Sequence, residues 1–270
     1  MNLKLGIVGW PLTKTYSPLI HKLLGEFLGI NLEYQKVPIE NLDRQKIQDI
    51  NSKFDGYNIT VPHKNKIIEL IENTDGYLPD HHVKELGICN TIKLVDNNIY
   101  AFNTDIEGIN KTLESIYTKI NNKNILILGS GGSSKTIEYL FEEHNTVQIA
   151  SREPNLDSIS YNEINDIAPK IDILINTTPI GMPPFEEESL NIPFNQFNNL
   201  EVFFNLGYNV KENFTSKFSE DVIKIDGIKM LITQAVASFN IWADSEIKLE
   251  DVYHKICLLY TSDAADETVS

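Results

Sequence analysis

The lysine at the end of residues 58–64 is the strongest candidate for chemistry in this sequence. Pro62 is expected to stop a strand, and residues 65–72 have a helical pattern, so Lys64 is predicted at a strand-to-helix junction. Loops at such junctions carry function more often than packing. A lysine amine there can donate a proton and stabilise negative charge that develops on an oxygen. An isolated lysine in this place would more simply be the solvated start of an amphipathic helix.

Several short polar blocks have an ordinary explanation when each is taken alone. Thr104 or Asp105 follows a strand pattern and precedes a helix, which is typical of an N-cap. Pro18 is expected at the first position of another helix, which makes Ser17 its natural cap. Capping does not exclude a catalytic role for the same residues.

A glycine-rich turn follows the apolar run 125–128 and precedes a helical pattern that reaches Glu143. Glycines permit a tight turn and close backbone approach, and the helix N-terminus offers free N–H groups to a pyrophosphate. A merely structural turn is the alternative. The turn contains Gly129, Ser130, Gly131, Gly132, Ser133 and Ser134, with serine at the third small position.

The end of the next strand pattern, 146–150, bears on the choice of dinucleotide. NAD-binding strands usually end in Asp or Glu, which holds the ribose 2′-OH, but this one continues into Ser151 and Arg152. A guanidinium suits a 2′-phosphate, so the pattern predicts NADP. Glu153 weakens this prediction, because its carboxylate would repel the phosphate unless it is turned away. A solvated surface arginine is the alternative for Arg152.

Composition indicates a globular protein that does not bind nucleic acid. The chain has 270 residues, 41% hydrophobic content and a formal net charge of −15, without a basic run. No stretch is long enough for a membrane span, and no export-signal pattern precedes the first strand. Cys89 and Cys257 have no metal-site spacing and are too few for a disulfide framework. We therefore expect a cytoplasmic protein without a metal site.

Strand-length apolar runs alternate with helical patterns, which predicts an α/β fold with mostly parallel sheets and binding sites at the carboxyl ends of the strands. Residues 90–95 and 99–102 flank a predicted hairpin turn at 96–98, expected to form an antiparallel edge. Residues 182–199, rich in Pro and Glu, are predicted to form a long surface loop. The other strand runs are 3–8, 32–37, 56–60, 125–128, 146–150, 171–175 and 202–204.

Together and in this order, the motifs resemble the shikimate dehydrogenase family over residues 3 to about 256. The departures are Thr15, where serine is commoner, His63, where an aromatic residue is more usual, Asn205, where an acid is frequent, and Glu153, where a small hydroxyl residue is usual. The matching positions in the first half are Thr15, Ser17, Asn58, Thr60, Pro62, Lys64, Asn90, Thr91, Asn103, Thr104 and Asp105. Those in the second half are Asn176, Thr178, Pro179, Gly181, Met182, Tyr208, Gly227, Met230, Leu231 and Gln234.

The resemblance implies reversible, NADPH-dependent reduction of 3-dehydroshikimate to shikimate, on the chorismate route to aromatic amino acids. Lys64 and Asp105 would be the catalytic pair, because the alkoxide formed by hydride transfer needs a proton and the carboxylate orients the ammonium. The implied substrate-binding residues are Thr15, Ser17, Asn58, Thr60, Asn90, Tyr208 and Gln234. The implied NADP-binding residues are Gly129, Ser130, Gly131, Gly132, Ser133, Ser151, Arg152, Thr177, Thr178, Gly227 and Met230.

The same resemblance implies a two-domain chain that acts on a small molecule as a monomer or homodimer. Residues 1–104, completed by helices in 235–256, would form an α/β substrate-binding domain with a mixed sheet. Residues 105–234 would form a Rossmann-type NADP-binding domain. Residues 257–270 contain CLLYTSDAADE, which looks like translated sequencing-adapter sequence, so we expect a non-native, disordered tail.

Three alternatives remain open. A dehydrogenase of broader quinate and shikimate use would have similar hydroxyl-binding residues, although Arg152 disfavours it because NAD use is commoner there. A nucleotide-binding regulator without turnover is disfavoured by the presence of both Lys64 and Asp105. A folate-type dehydrogenase of similar two-domain shape is disfavoured by the full set of hydroxyl-binding residues.

Overall fold

Residues 2–13, 15–117, 119–208 and 214–266 are described by the computed structural model, which contains two six-stranded sheets. The chain divides into one unit of Met1–Gly108 with Leu231–Ser270 and a second unit of Ile109–Met230.

The strands are β1 (Asn2–Gly9), β2 (Asn31–Pro38), β3 (Gly56–Ile59), β4 (Tyr77–Pro79), β5 (Thr91–Val95), β6 (Asn98–Phe102), β7 (Asn124–Leu128), β8 (Thr146–Ser151), β9 (Ser158–Ser160), β10 (Ile173–Asn176), β11 (Val202–Asn205) and β12 (Ile223–Ile225). The helices are α1 (Ser17–Leu28), α2 (Arg44–Asn51), α3 (Lys66–Ile71), α4 (His81–Leu86), α5 (Asp105–Leu113), α6 (Gly132–Phe141), α7 (Ile164–Ile167), α8 (Ile228–Ala243) and α9 (Leu249–Asp266). Short 3₁₀ segments lie at Tyr161–Glu163, Ala168–Lys170, Phe194–Gln196 and Phe214–Lys217.

The predicted strand runs are confirmed, with bounds that shift by no more than two residues. Prediction missed β4, β9 and β12, each of three residues. Such short strands are too brief to show a period of two in the sequence.

The sheet of the first unit is mixed, with strand order β2-β1-β3-β5-β6-β4. Strands β2, β1 and β3 are parallel, and β5 pairs antiparallel with both β3 and β6. The hairpin turn is one residue shorter than predicted, because Val95 pairs with Asn98 and only Asp96 and Asn97 lie between them. Both have positive φ, 49° and 66°, which is typical of a two-residue hairpin turn. The expectation that this hairpin forms the edge is wrong, since β4 adds to β6 in parallel.

The sheet of the second unit is entirely parallel, with order β12-β11-β10-β7-β8-β9. Counted within the unit, this is the order 3-2-1-4-5-6 of a Rossmann fold. The order reverses between β7 and β10, and ligands of such sheets bind beyond the carboxyl ends of the strands at that point. Buried strand residues on both faces form its core, as a sheet covered on both sides requires.

Two expectations about irregular segments need correction. The loop over 182–199 is not wholly at the surface, because Leu190, Ile192 and Phe197 are buried in the core beside β10 and β11. Burial of these apolar side chains offsets the entropy of ordering a long loop. The expectation of disorder from residue 257 is wrong as far as Asp266, where α9 ends, and residues 267–270 lie outside the described ranges.

Within the described ranges, no helix combines the length and apolarity needed to cross a membrane. Cys89 is a buried free thiol. Burial raises the pKa of the Cys89 thiol to about 12, so it stays protonated at neutral pH.

Candidate active site

Lys64 and Asp105 form an ion pair in the first unit. The Lys64 Nζ atom lies 2.6 Å from Asp105 Oδ2, and the two side chains are 13% and 6% exposed. Lys64 occupies the turn between β3 and α3, as predicted, and its carbonyl accepts the Cys89 N–H at 3.0 Å. Asp105 is the first residue of α5. The ammonium is therefore held by a carboxylate at the start of a helix, where negative charge is stabilised.

The amide of Asn90 holds the other oxygen of Asp105. Asn90 Nδ2 donates to Asp105 Oδ1 at 2.9 Å and to Thr104 Oγ1 at 3.0 Å. Asn90 Oδ1 accepts the Thr104 N–H at 2.8 Å, and the Asp105 N–H is bound by Asn103 Oδ1 at 3.2 Å. Asn103, Thr104 and Asn90 are nearly fully buried. The polar block 103–105 is thus anchored to the start of β5, and Asn90 has no amide proton left for a further partner.

Asn58 lies on β3 and has its hydrogen-bonding capacity filled by this chain. Its Oδ1 accepts from Tyr34 Oη at 2.7 Å and from His21 Nε2 at 3.2 Å. Its side chain is 5% exposed. The acceptors around its Nδ2 are Asn90 O, Thr91 Oγ1 and Ser238 Oγ, at 3.2, 3.1 and 3.1 Å. A substrate that bound Asn58 would have to displace one of these partners.

Thr15 and Ser17 lie together at the start of α1. Thr15 Oγ1 donates to Ser17 Oγ at 3.2 Å and accepts the Ser17 N–H at 3.3 Å. The prediction that Ser17 caps this helix is wrong, because Tyr16 is the N-cap and Ser17 is the first helical residue. The helix begins one residue earlier than expected, with Pro18 still in its first turn, where a missing N–H costs nothing. Both hydroxyl groups stay beside each other, as a hydroxyl-binding pair requires.

Thr60 and Gln234 belong to the same unit. Thr60 follows β3, is partly buried, and donates its N–H to Val8 O at 2.9 Å, which places it at the carboxyl end of β1 as well. Gln234 lies on α8, partly buried, with its Nε2 donating to Leu231 O at 2.9 Å. Its Oε1 takes no part in this bond and can accept a hydrogen bond from a substrate hydroxyl group.

Tyr208 lies in the second unit, just beyond β11, and is partly buried. Asn205, which stands where the family often has an acid, is 8% exposed. Its Oδ1 accepts from Asn176 Nδ2 at 2.9 Å and from the Gly207 N–H at 3.2 Å. An aspartate oxygen would accept the same two bonds, so the amide preserves the local geometry of this turn without the charge.

The glycine turn connects β7 to α6, and glycine is needed for different reasons at Gly129 and at Gly131. Gly129 has φ +103°, and a Cβ on it would lie 2.6 Å from Thr177 Oγ1, so the turn itself needs glycine. Gly131 is the N-cap of the ten-residue helix α6, in extended backbone with φ −81°. No described atom lies within 4 Å of a Cβ built on Gly131. The free space at a helix N-terminus fits a phosphate group that approaches the backbone closely.

The other members of the turn complete this site. Ser130 Oγ lies 3.1 Å from Ser151 Oγ, which ties the turn to the end of β8. Gly132 and Ser133 begin α6, and Ser134 is fully buried, as expected for a small residue where helix and strand pack closely.

Arg152 is exposed and is paired with an acid that sequence analysis missed. Its Nη1 lies 3.7 Å from Glu188 Oε2, and the side chains are 71% and 45% exposed. Glu188 belongs to the loop over 182–199, so its approach to Arg152 is a tertiary contact without a local signal in the sequence. The Glu153 N–H donates to Ser151 Oγ at 3.3 Å.

Thr177 and Thr178 follow β10, at the point where the strand order reverses. Thr177 donates both its N–H and its hydroxyl to Leu128 O, at 2.9 and 2.7 Å. Thr178 donates its N–H and hydroxyl to the buried Asn176 Oδ1, at 3.1 and 2.7 Å. These bonds hold the end of β10 against the glycine turn after β7, which is where a Rossmann fold binds a dinucleotide.

Gly227 and Met230 end the second unit. A Cβ on Gly227 would collide with the Leu206 carbonyl group, so two backbone segments touch there. The Gly227 N–H donates to Gly207 O at 3.3 Å. Met230 is 8% exposed and packs in the core beside β7 and β11. Both positions therefore have a packing role whether or not they contact a cofactor.

His63, which departs from the family pattern, and His21 are packing residues. His63 is 3% exposed, and its Nε2 lies 2.6 Å from Ile39 O, which can only accept, so Nε2 carries the proton. His21 is fully buried and stacks on Tyr34, with ring centroids 4.6 Å apart. Burial lowers the pKa of His21 to about 3, against the opposing effect of its bond to Asn58. Among the described residues, no cluster of three or more His, Cys, Asp or Glu side chains is placed to hold a metal ion.

Three partners of Asn58 also escaped sequence analysis: Tyr34, His21 and Ser238. Their only sequence signal is weak, since Ser238 follows Gln234 by one helical turn and His21 follows Ser17 at the same spacing. Tyr34 lies on the edge strand β2, and its side chain reaches across β1 to Asn58 on β3.

Comparisons with known proteins agree with this geometry. The family model for the shikimate dehydrogenase substrate binding domain matches residues 7–92. A shikimate dehydrogenase (NADP(+)) of Methanococcus maripaludis is 31% identical over 268 residues, which cover 92% of this chain and 93% of the relative.

Solved structures give the same result. Shikimate dehydrogenase 1 of Peptoclostridium difficile is 30% identical, with a TM-score of 0.82 and coverage of 96% of this chain and 99% of the other. A shikimate dehydrogenase crystallised in complex with NADP+ is 26% identical, with a TM-score of 0.80 and coverage of 95% of each chain. Because the similarity extends over nearly the full length of both chains in sequence and in fold, this chain belongs to the shikimate dehydrogenase family.

Proposed function

We propose that this protein is an NADP-dependent shikimate dehydrogenase, an oxidoreductase of CH–OH groups that interconverts 3-dehydroshikimate and shikimate. The observation that carries the proposal is the Lys64–Asp105 ion pair, with 2.6 Å between Nζ and Oδ2, in the unit that contains the match to the family's substrate binding domain. A regulator that only bound nucleotide would have no use for a nearly buried ammonium and carboxylate in contact. Membership of the family and the ion pair together favour turnover over binding alone.

Lys64 is the proposed proton donor to the alkoxide that forms when the ring ketone is reduced. Its ammonium is positioned by Asp105, whose second oxygen is held by Asn90. A positive group near the developing alkoxide lowers the energy of the transition state, and the neutral amine that remains can accept the hydroxyl proton in the reverse reaction. Asp105 acts by orienting Lys64.

The hydroxyl and amide groups of the first unit are proposed to bind the substrate. Thr15, Thr60 and Gln234 have polar groups at partly buried positions, and the buried Ser17 lies beside Thr15. Tyr208 is the proposed contribution of the second unit. For Asn58 and Asn90, whose polar atoms are occupied by protein partners, we propose that they mainly hold the other groups in place. Sites built to bind hydroxyl groups strongly reject analogues that lack them.

The second unit is the proposed NADP-binding domain. When bound, NADPH supplies a hydride to the substrate carbonyl. Free space at Gly131 and the α6 N-terminus fit a pyrophosphate, and the Arg152 guanidinium fits a 2′-phosphate. The remaining proposed contacts are Gly129, Ser130, Gly132, Ser133, Ser151, Thr177, Thr178, Gly227 and Met230.

We further propose a cytoplasmic enzyme that acts as a monomer or homodimer on a small-molecule substrate. The acidic composition, without a basic run, supports the absence of a nucleic-acid partner. Size-exclusion chromatography with light scattering would distinguish monomer from dimer.

One assay tests the proposed function directly. Initial rates would be measured with shikimate and with quinate, each with NADP and with NAD. We expect turnover with shikimate and NADP to exceed the other three combinations. Comparable rates with quinate and NAD would indicate a quinate-type enzyme, and no turnover with any pair would contradict the proposal in favour of a binding protein.

A further inference from the structure

Ser238 of α8 lies at the centre of the polar network in the first unit. Its side chain is fully buried, and its Oγ donates to the carbonyl oxygen of Gln234, one turn earlier, at 2.9 Å. A serine that merely satisfied its own hydroxyl group within a helix would need only this bond. The same oxygen also lies close to three side chains from three other segments: Thr91 Oγ1 at 2.8 Å, Thr104 Oγ1 at 3.0 Å and Asn58 Nδ2 at 3.1 Å.

A continuous path of hydrogen bonds leads from Ser238 to the ion pair. Ser238 contacts Thr104 Oγ1, which accepts from Asn90 Nδ2 at 3.0 Å. The second Nδ2 proton of Asn90 goes to Asp105 Oδ1 at 2.9 Å, and Asp105 Oδ2 binds Lys64. Because Ser238, Thr104, Asn90 and Asp105 are buried, water cannot easily replace a lost partner among them. Loss of the Ser238 hydroxyl would remove one buried partner of Thr104 Oγ1, which would keep only Asn90 and Thr91 Oγ1 at 3.2 and 3.3 Å. Thr104 could then shift, and Asn90 and the Asp105 carboxylate with it.

We infer that Ser238 is a positioning residue for the catalytic pair, which fixes the orientation of the Asp105 carboxylate through Thr104 and Asn90. The inference rests on the function proposed above for Lys64 and Asp105. Ser238 itself touches neither of them, so it acts on turnover only through the intervening residues. Its bond to the Gln234 carbonyl also fixes the helix that carries a proposed substrate-binding residue.

The test compares Ser238→Ala with a control variant that weakens the attachment of the same helix to the sheet. The control is Lys93→Met, on β5. It removes two other hydrogen bonds between the sheet and the end of α8, since Lys93 Nζ binds Ile241 O at 2.7 Å and Asp244 Oδ1 at 2.5 Å. We expect Ser238→Ala to lower kcat about tenfold, with KM for shikimate changed less than about threefold. We expect Lys93→Met to lower Tm without lowering kcat. Ser238→Cys, which keeps the volume but bonds weakly, should resemble Ser238→Ala rather than the wild type.

A double-mutant cycle separates positioning from general stability. Because the path passes through Thr104, Ser238→Ala should lower kcat little further in a Thr104→Val background. An unchanged kcat in Ser238→Ala would overturn the inference. An equal loss of kcat in both backgrounds would overturn it as well, because the serine would then act by another route.

A second readout keeps the inference testable if the proposed function fails. If the wild type turns over neither shikimate nor quinate, the rate of Lys64 acetylation by acetic anhydride is measured by mass spectrometry. Loosening of Asp105 should raise this rate about threefold in Ser238→Ala, relative to an exposed lysine in the same sample, and leave it unchanged in Lys93→Met. Equal rates in the wild type and Ser238→Ala would overturn the inference independently of activity.

Discussion

The Lys64 ammonium nitrogen lies 2.6 Å from Asp105 Oδ2, while Asn90 Nδ2 holds the other carboxylate oxygen at 2.9 Å. The carboxylate is thus fixed through both oxygens, and the ammonium has a defined direction. With side-chain exposures of 13% and 6%, the pair is protected from most screening by solvent. This relationship joins residues 41 positions apart in the chain and is the basis of the first prediction.

Replacing Lys64 with alanine is expected to lower kcat by about 100-fold or more, because the group that donates the proton is lost. The variant should remain folded at 25 °C but lose some thermal stability, since Asp105 is left nearly buried without its cation. Steady-state rates and circular dichroism would measure the two effects. A kcat near the wild-type value would exclude the role assigned to Lys64.

The double variant Lys64→Met with Asp105→Asn is the matched control. It removes both charges and keeps similar volumes, so we expect Tm to recover relative to Lys64→Ala while kcat stays low. If stability and turnover recovered together, the loss in Lys64→Ala would reflect misfolding rather than chemistry.

The ion pair between Arg152 and Glu188 predicts opposite effects of two substitutions on cofactor affinity. Arg152→Ala should raise KM for NADP well beyond any change in KM for NAD, because only NADP carries the 2′-phosphate. An equal effect on both cofactors would contradict recognition of the 2′-phosphate by Arg152.

Glu188→Gln should instead lower KM for NADP, by about twofold to fivefold, because the guanidinium no longer has a competing carboxylate 3.7 Å away. The gain should shrink at high salt, since both side chains are exposed. Glu153→Gln is the control that tests the acid suggested by the sequence alone. A larger gain from Glu153→Gln would show that Glu188 is not the relevant charge.

Two glycines of the second unit are expected to respond differently to alanine. Gly227→Ala should destabilise the protein by about 1–3 kcal/mol, because the new Cβ collides with the Leu206 carbonyl group. Gly131→Ala should leave Tm nearly unchanged, because its Cβ enters free space, but should raise KM for NADP. Thermal unfolding and cofactor titration of both variants would measure this contrast. Loss of Tm without loss of affinity in Gly131→Ala would count against a phosphate site there.

His21 predicts a decline of stability in acid. Burial lowers its pKa from 6.5 to about 3 in the folded protein, so below pH 6.5 the unfolded chain binds a proton that the folded chain does not. The His21 contribution is therefore complete above pH 6.5 and is lost as the pH falls toward 3, at up to about 1.4 kcal/mol per pH unit.

Urea unfolding between pH 3 and 8 would test this prediction. His21→Phe, which keeps a ring beside Tyr34, should show a shallower decline of the unfolding free energy in acid, although it is less stable at pH 7. His254→Gln, at an exposed position of α9, should keep the wild-type slope. An unchanged slope in His21→Phe would mean that other groups cause the acid sensitivity.

Some parts of the fold could be predicted because they rest on local physics. The run that became β7 is a continuous apolar segment, those that became β1 and β8 are mostly apolar, and Gly129 occupies the turn whose positive φ requires it. The three-residue strand β4 could not be predicted, because it forms only by pairing with β6. The same holds for Leu190, Ile192 and Phe197, whose burial depends on a core that the loop sequence does not reveal.

The candidate site divides in the same way. The types of its members, such as Lys64, Asp105 and Arg152, and the family they resemble were determined by the sequence alone. Only the tertiary structure decided their partners: Asn90 against Asp105, Ser238 at the centre of the network, and Glu188 against Arg152. Residue type and local pattern are properties of neighbouring positions, whereas hydrogen bonds and ion pairs depend on distances of about 3–4 Å between segments far apart in the chain, which folding alone establishes.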